Sequence, residues 1–196
     1  MASCAEARAR LCNPAHEVSA HWLISEAGAA EALVDEPQRA WHAGAGEWAG
    51  IGDVNSHSIG IELANTGFEP FPDPQMAALE RLLAGVMDRW QIAPQNVIAH
   101  SDMAPARKFD PGRKFDWRRL AMQGLSVWPE PRRSVPETLI AALNRFGYPD
   151  AAPESLLRAF RQRFRPWASG APDAVDAGLA LSLAERFGVD RTPTGA

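Results

Sequence analysis

The sequence predicts an α/β protein in which a mixed central sheet is flanked by helices and followed by a small all-α domain of three helices. Three observations lead there. Short apolar runs alternate with a strongly amphipathic stretch in the order strand, helix, strand, which yields a sheet covered by helices. A proline-rich break then interrupts the chain at residues 125–135. Beyond the break, apolar residues recur at helical spacing in segments with Pro near their start and Gly after their end, the punctuation of short helices. The 196 residues, 46% hydrophobic and 22% charged with a formal net charge of −4, suit a globular domain plus a smaller one. No window of eighteen apolar residues exists to span a membrane. The mildly acidic balance argues against a nucleic-acid partner and for small molecules or a neutral polymer.

"EVSAHWLIS", residues 17–25, is β-branched and aromatic and reads as a buried strand that stops before Gly28. "SIGIELAN", 58–65, is a second strand closed by Asn65-Thr66-Gly67. The Gly- and Ala-rich "RAWHAGAGEWAGIGDVNS" between them reads as loop. "DPQMAALERLLAGVMDRW", 73–90, is the clearest helix: Asp73 suits the cap, Pro74 the first turn, and Met76, Leu79, Leu83, Val86 and Met87 share one face. "NVIAH", 96–100, predicts a third strand, and "FDWRRLAMQG", 115–124, a short helix ending at Gly124. "PETLIAALNRFG", "PESLLRAFRQRF" and "APDAVDAGLALSLAERFG" predict the three helices of a second domain over 136–190. Leu156, Leu157, Phe160 and Phe164 form its core stripe. Arg158, Arg161, Arg163 and Arg165 then form either a solvated face or a surface for peptide carboxylates.

The start, "MASCAEARARLCNP", lacks the apolar core of a signal peptide, so the sequence as written reads as cytoplasmic. Cys4 and Cys12 read as free thiols.

The chemistry is concentrated in "AHSDMAPARKFDPG", 99–112. His100 and Asp110, ten residues apart across a Pro-stiffened loop, are either a structural hydrogen-bonded pair or two ligands of one Zn²⁺, since imidazole and carboxylate both suit that ion. Lys108 is either a solvated cation or a charge placed over a polarised carbonyl. Glu62, among apolar neighbours in "SIGIEL", is costly there unless it has a task. It serves as partner to an arginine or as general base.

The motifs "EVSAHWLI", "RAWHAG", "SIGIELAN", "NVIAHSDMAPARKFDPG" and "FDWRRLA" together resemble the zinc-dependent N-acetylmuramoyl-L-alanine amidases of the type-2 fold shared with peptidoglycan recognition proteins. The likeness covers roughly residues 15–128. With "QGLSVWPE" and the helical tail, the sequence resembles the AmiD-like branch most. The resemblance implies an amidase domain over 1–124, a linker over 125–135 and a peptidoglycan-binding-like domain over 136–190. It implies that His100 and Asp110 ligate Zn²⁺, that Glu62 assists the attacking water, and that Lys108 stabilises the oxyanion. The bond cut would join N-acetylmuramic acid to L-alanine in peptidoglycan or muropeptides, and the protein would act as a monomer. His21 and His42 match further family positions, implying residues that line the cleft or back the ligands; hydrogen-bonded interior histidines are the alternative.

Such amidases open with a "V-x-H-x-T" strand whose histidine is the first zinc ligand. Residues 1–14 resemble the helix that follows it. His16, His21, His42, His57, Cys4 and Cys12 do not occupy the matching position. The expectation is therefore an upstream segment carrying the strand and an export signal, which would place the protein in the cell envelope or periplasm. For the chain as written, a non-catalytic peptidoglycan-binding protein is the alternative.

Overall fold

The computed structural model describes residues 3–189; residues 1, 2 and 190 of the predicted domains lie outside them. Ser3 Oγ accepts the Glu6 amide at 3.2 Å and so caps α1 (Cys4–Leu11), satisfying one of the free donors of a first turn. Three short strands follow: β1 (Trp22–Ile24), β2 (Ala30–Ala32) and β3 (Ile61–Leu63), in the order β2-β1-β3. β2 runs antiparallel and β3 parallel to β1, with Leu23 level with both Glu31 and Glu62. The sheet is mixed, as its sequence predicts. β2 is an addition, because Ala-Glu-Ala carries no strand signal.

Helix α2 (Asp73–Trp90) lays Met76, Leu79 and Leu83 on the core with Ile24, Phe115, Trp117 and Leu120, and buries Val86 as well. Its start differs by one position from the expected one. Pro72 is the cap and Asp73 the first helical residue, where it pairs with Arg119 at 2.6 Å. Buried Gln75 donates to the carbonyls of Ile24, at 3.0 Å, and Ala64, at 3.1 Å. One α2 side chain thereby ties together the ends of β1 and β3.

The predicted strand at 96–100 does not form. Pro94–Asn96 is a 3-10 turn and His100 opens the short helix α3 (His100–Met103). The backbone between them finds side chains instead of a ladder: Arg163 donates to the Val97 carbonyl at 2.8 Å, and the Ala99 amide donates to Asp102 at 2.8 Å. An apolar run alone does not make a strand; it needs a partner strand for its backbone groups. Helix α4 (Trp117–Met122) follows, capped by Asp116.

Residues 125–135 run without helix or strand, but Leu125, Ser126 and Val127 are buried. Helices α5 (Leu139–Phe146), α6 (Pro153–Phe164) and α7 (Ala174–Phe187) pack Leu143, Phe146, Phe160, Phe164 and Leu183 into a core that also takes in Trp48, Val54 and Met103 of the first half. Arg158 of α6 is exposed, but Arg161 and Arg163 belong to neither a solvated face nor a peptide-binding surface. Arg161 pairs with Asp176 at 2.5 Å and Arg163 with Asp102 at 2.6 Å, all four buried. Among the described residues, no helix is long and apolar enough to cross a membrane.

Candidate active site

The segment from His100 to Asp110 closes on itself. The Ser101 amide donates to the Asp110 carbonyl at 3.1 Å, and the Lys108 amide to the Ala104 carbonyl at 2.9 Å. These bonds bring His100 Nδ1 to 3.0 Å from Asp110 Oδ2. The other ring nitrogen, Nε2, lies 2.8 Å from the Ala43 carbonyl, which also accepts from Arg107 Nη2 at 2.8 Å. Asn55 Oδ1 in turn accepts the amides of His42 at 3.0 Å and Ala43 at 2.8 Å. The "WHAG" turn is thus shaped by Asn55 and presents its carbonyl to His100.

Glu62 comes from β3. Side chains alternate along a strand, so Ile61 and Leu63, which pack on the α2 core, turn Glu62 to the opposite face. There it feels the charges of Asp110, His100 and Lys108. Burial and the neighbouring Asp110 carboxylate hold its carboxyl above the ordinary range, which makes it a better proton acceptor when ionised. Asp110 goes the other way. Burial pushes it up, but the hydrogen bond and charge of His100, with Lys108, outweigh this and hold it below the ordinary range. One carboxylate is primed to take protons and its neighbour to stay ionised.

The two remaining candidates separate. His21 is buried, its Nδ1 accepting the Gly60 amide at 2.9 Å and its Nε2 donating to the Gln38 carbonyl at 2.9 Å. Both nitrogens are spent inside the protein, so His21 is the interior histidine and not a lining residue. Its ring meets that of His42 edge-on at 5.4 Å. His42 Nε2 is buried with no hydrogen-bond partner, and burial, then His21, pushes the ring pKa down to about 4. The ring is neutral near pH 7 and offers a free nitrogen lone pair or N–H. Gly60 makes room for it, since a Cβ there would stand 2.4 Å from the His42 ring.

Two ligands of a tetrahedral zinc with bonds near 2.0 Å stand about 3.3 Å apart. His100 Nδ1 and Asp110 Oδ2, at 3.0 Å, fit two such positions. The Ala43 carbonyl at the far ring nitrogen is the acceptor that commonly orients a metal-binding imidazole. No group of three His, Cys, Asp or Glu converges among the described residues, so the donor set fits in kind and falls one short in number.

Sequence reasoning missed Arg107, Asn55, Asp102 and α6 as supports of this site. Arg107 stands next to Lys108 in the quoted motif, but its acceptors, the Ala43 and Ala45 carbonyls, lie more than sixty residues away, and no local pattern reveals them.

A family model described as N-acetylmuramoyl-L-alanine amidase matches residues 1–113. The N-acetylmuramoyl-L-alanine amidase AmiD of Escherichia coli (strain K12) is 39% identical over 187 residues, 81% of this chain and 68% of that protein. The 1,6-anhydro-N-acetylmuramyl-L-alanine amidase AmpD of Haemophilus influenzae is 40% identical over 103 residues, 52% of this chain and 56% of that protein. A solved complex of E. coli AmiD with the substrate anhydro-N-acetylmuramic acid-L-Ala-D-gamma-Glu-L-Lys superposes with TM-score 0.86 at 34% identity, covering 95% of this chain and 86% of that one. The crystal structure of AmpDh3 from Pseudomonas aeruginosa gives TM-score 0.84 at 31% identity, covering 94% and 88%. By sequence and by fold, the chain belongs to the N-acetylmuramoyl-L-alanine amidase family.

Proposed function

We propose that the chain hydrolyses the amide bond between N-acetylmuramic acid and L-alanine in peptidoglycan or muropeptides, as a monomer. The observation that carries this reading is the meeting of Glu62, on β3, with the His100–Asp110 pair and Lys108. Glu62 takes a proton from the attacking water as its oxygen adds to the amide carbon. Lys108 stabilises the negative charge that develops on the carbonyl oxygen. Glu62 then returns the proton to the alanine nitrogen as the C–N bond breaks, leaving a lactyl carboxylic acid and a free peptide amine, between which the acid proton passes to give carboxylate and ammonium. A zinc ion, for which His100 and Asp110 are the ligands this chain supplies, contributes Lewis acidity and a lowered water pKa when bound. His21 braces the starts of β1 and β3, and neutral His42 packs beside it with its Nε2 buried and unpaired.

The test is release of stem peptide from a purified anhydro-muropeptide and from intact sacculi, followed by mass spectrometry. Zinc-supplied chain releases peptide, EDTA stops it, and Glu62→Gln loses at least a hundredfold in kcat. A zinc-supplied chain that binds the muropeptide without cutting it overturns the proposal. That outcome favours the second reading, a non-catalytic peptidoglycan binder, which the convergence of only two ligand-type side chains among the described residues supports.

A further inference from the structure

The loop that carries His100 and Asp110 is held from outside by one helix. On α6, Arg158 and Gln162 lie at i and i+4, on one face, and Arg163 follows Gln162 directly. Arg158 Nη2 donates to the Pro105 carbonyl, and Gln162 Nε2 donates to the Phe109 carbonyl at 2.9 Å. Arg163 donates through Nη1 to Asp102 Oδ2 at 2.6 Å and through Nη2 to the Val97 carbonyl at 2.8 Å. Tyr148, between α5 and α6, adds a bond from its hydroxyl to Asp102 Oδ1 at 2.7 Å. The acceptors on 97, 102, 105 and 109 flank His100 and reach the residue before Asp110. Phe109 immediately precedes Asp110, and Asp102 follows His100 by two residues. Gln162 and Arg163 are buried where they do this, so water competes less for these bonds than at the surface.

We infer that α6 is the positioning element of the catalytic loop, with Arg158, Gln162 and Arg163 as positioning residues that act through the loop backbone and through Asp102. The helical segment therefore sets the geometry of the His100–Asp110 pair as well as any role it has toward the wall. A misplacement of about 1 Å at a reacting centre can cost about a hundredfold in rate, and Gln162 bonds the backbone one residue from Asp110.

The activity arm of this inference rests on the amidase reading; the structural arm does not. The test compares the full chain with Gln162→Met, which keeps the volume and removes the donor, with Arg158→Met at an exposed position, and with Glu154→Ala as a control at an exposed position in the first turn of α6. Arg163 is left intact, since its removal strands the buried Asp102 charge. Amide hydrogen exchange is read at Ser101 and Lys108, whose bonds close the loop, and along α2. Gln162→Met raises exchange at Ser101 and Lys108 about fivefold or more and leaves α2 unchanged. In the same variant kcat falls about three- to tenfold with KM unchanged. Arg158→Met moves the same amides less, and Glu154→Ala moves none. Unchanged exchange at Ser101 in Gln162→Met overturns the inference, and so does an equal rise in α2, which marks a merely structural role. If Ser101 loosens as expected while the unaltered chain cuts no muropeptide, the positioning role stands and the amidase reading falls. If the unaltered chain cuts and neither exchange nor kcat responds to Gln162→Met, the positioning role falls alone.

Discussion

Lys108 acts on both carboxylates of the cleft, drawing Glu62 and Asp110 toward their ionised forms. Its proposed work is on the transition state, where the amide oxygen gains charge that the ground state lacks. An interaction made only there lowers kcat when it is removed and leaves KM nearly unchanged. Lys108→Met is therefore expected to lose about a hundred- to a thousandfold in kcat, with the far-ultraviolet circular dichroism of the parent. A variant within threefold of the parent rate would assign the residue to the solvated surface. His21 predicts a contrasting phenotype. His21→Phe leaves the Gly60 amide and the Gln38 carbonyl without their partner, which costs about 1–3 kcal/mol in a buried setting. Chemical denaturation should show that loss, while kcat per folded molecule changes much less than in Lys108→Met. The two residues look alike in the sequence, each a polar group in a family motif. What separates them is the location of their partners, which the chain reveals only once folded.

Glu36 shows how the elements are fastened around the sheet. Its carboxylate accepts from Arg89 Nη2 at 2.6 Å and from the indoles of Trp90 at 2.7 Å and Trp22 at 2.9 Å. The end of α2 is thereby pinned to β1. The Arg89 hydrogen bond, against burial and with help from both indoles, pulls the Glu36 carboxyl from 4.5 down to about 2. A folded value below the unfolded one means that the unfolded chain binds the proton more readily. The stabilisation is therefore full above about pH 4.5 and is lost as the pH falls toward 2. Glu36→Gln is expected to cost about 1.5 kcal/mol at pH 7, or about 3–6 °C in Tm, and melts between pH 7 and pH 3 should show the gap narrowing below pH 4.5. A gap independent of pH would mean that packing, and not charge, makes the contact. At this scale the sequence was partly legible. The periodicity of 73–90 finds α2 to within one position at its cap because a whole face of it is buried, and a helix satisfies its own backbone. Strands do not. "NVIAH" has strand composition, but its backbone bonds to Arg163 and Asp102. Ala30–Ala32 has none, yet pairs with β1.

Across the whole molecule, the buried pair of Arg163 and Asp102 joins the two halves that composition distinguishes. Asp102 also receives the Tyr148 hydroxyl and the Ala99 amide, and the Arg163 guanidinium lies 4.2 Å from the Trp117 ring centroid. A helical wheel assigns Arg163 to solvent because it sees only the neighbours on α6. The partner that reverses the assignment lies 61 residues earlier. The core of α5, α6 and α7 likewise includes Trp48, Val54 and Met103, so part of the first half's apolar surface is buried only against the second. One cooperative transition is expected in calorimetry, with the calorimetric and van't Hoff enthalpies equal. Arg163→Met strands a carboxylate in an apolar interior, a change that costs about 3–5 kcal/mol and should lower the whole transition by about 10 °C or more. Adding Asp102→Asn removes the stranded charge but keeps an oxygen for Tyr148 and Ala99, so the double variant should recover part of the loss. The coupling between the two positions, measured as the departure of the double variant from the sum of the singles, isolates the pair from its surroundings. A split into two transitions in Arg163→Met, with α2 melting at its original temperature, would show that the halves fold separately and that the ion pair only docks them.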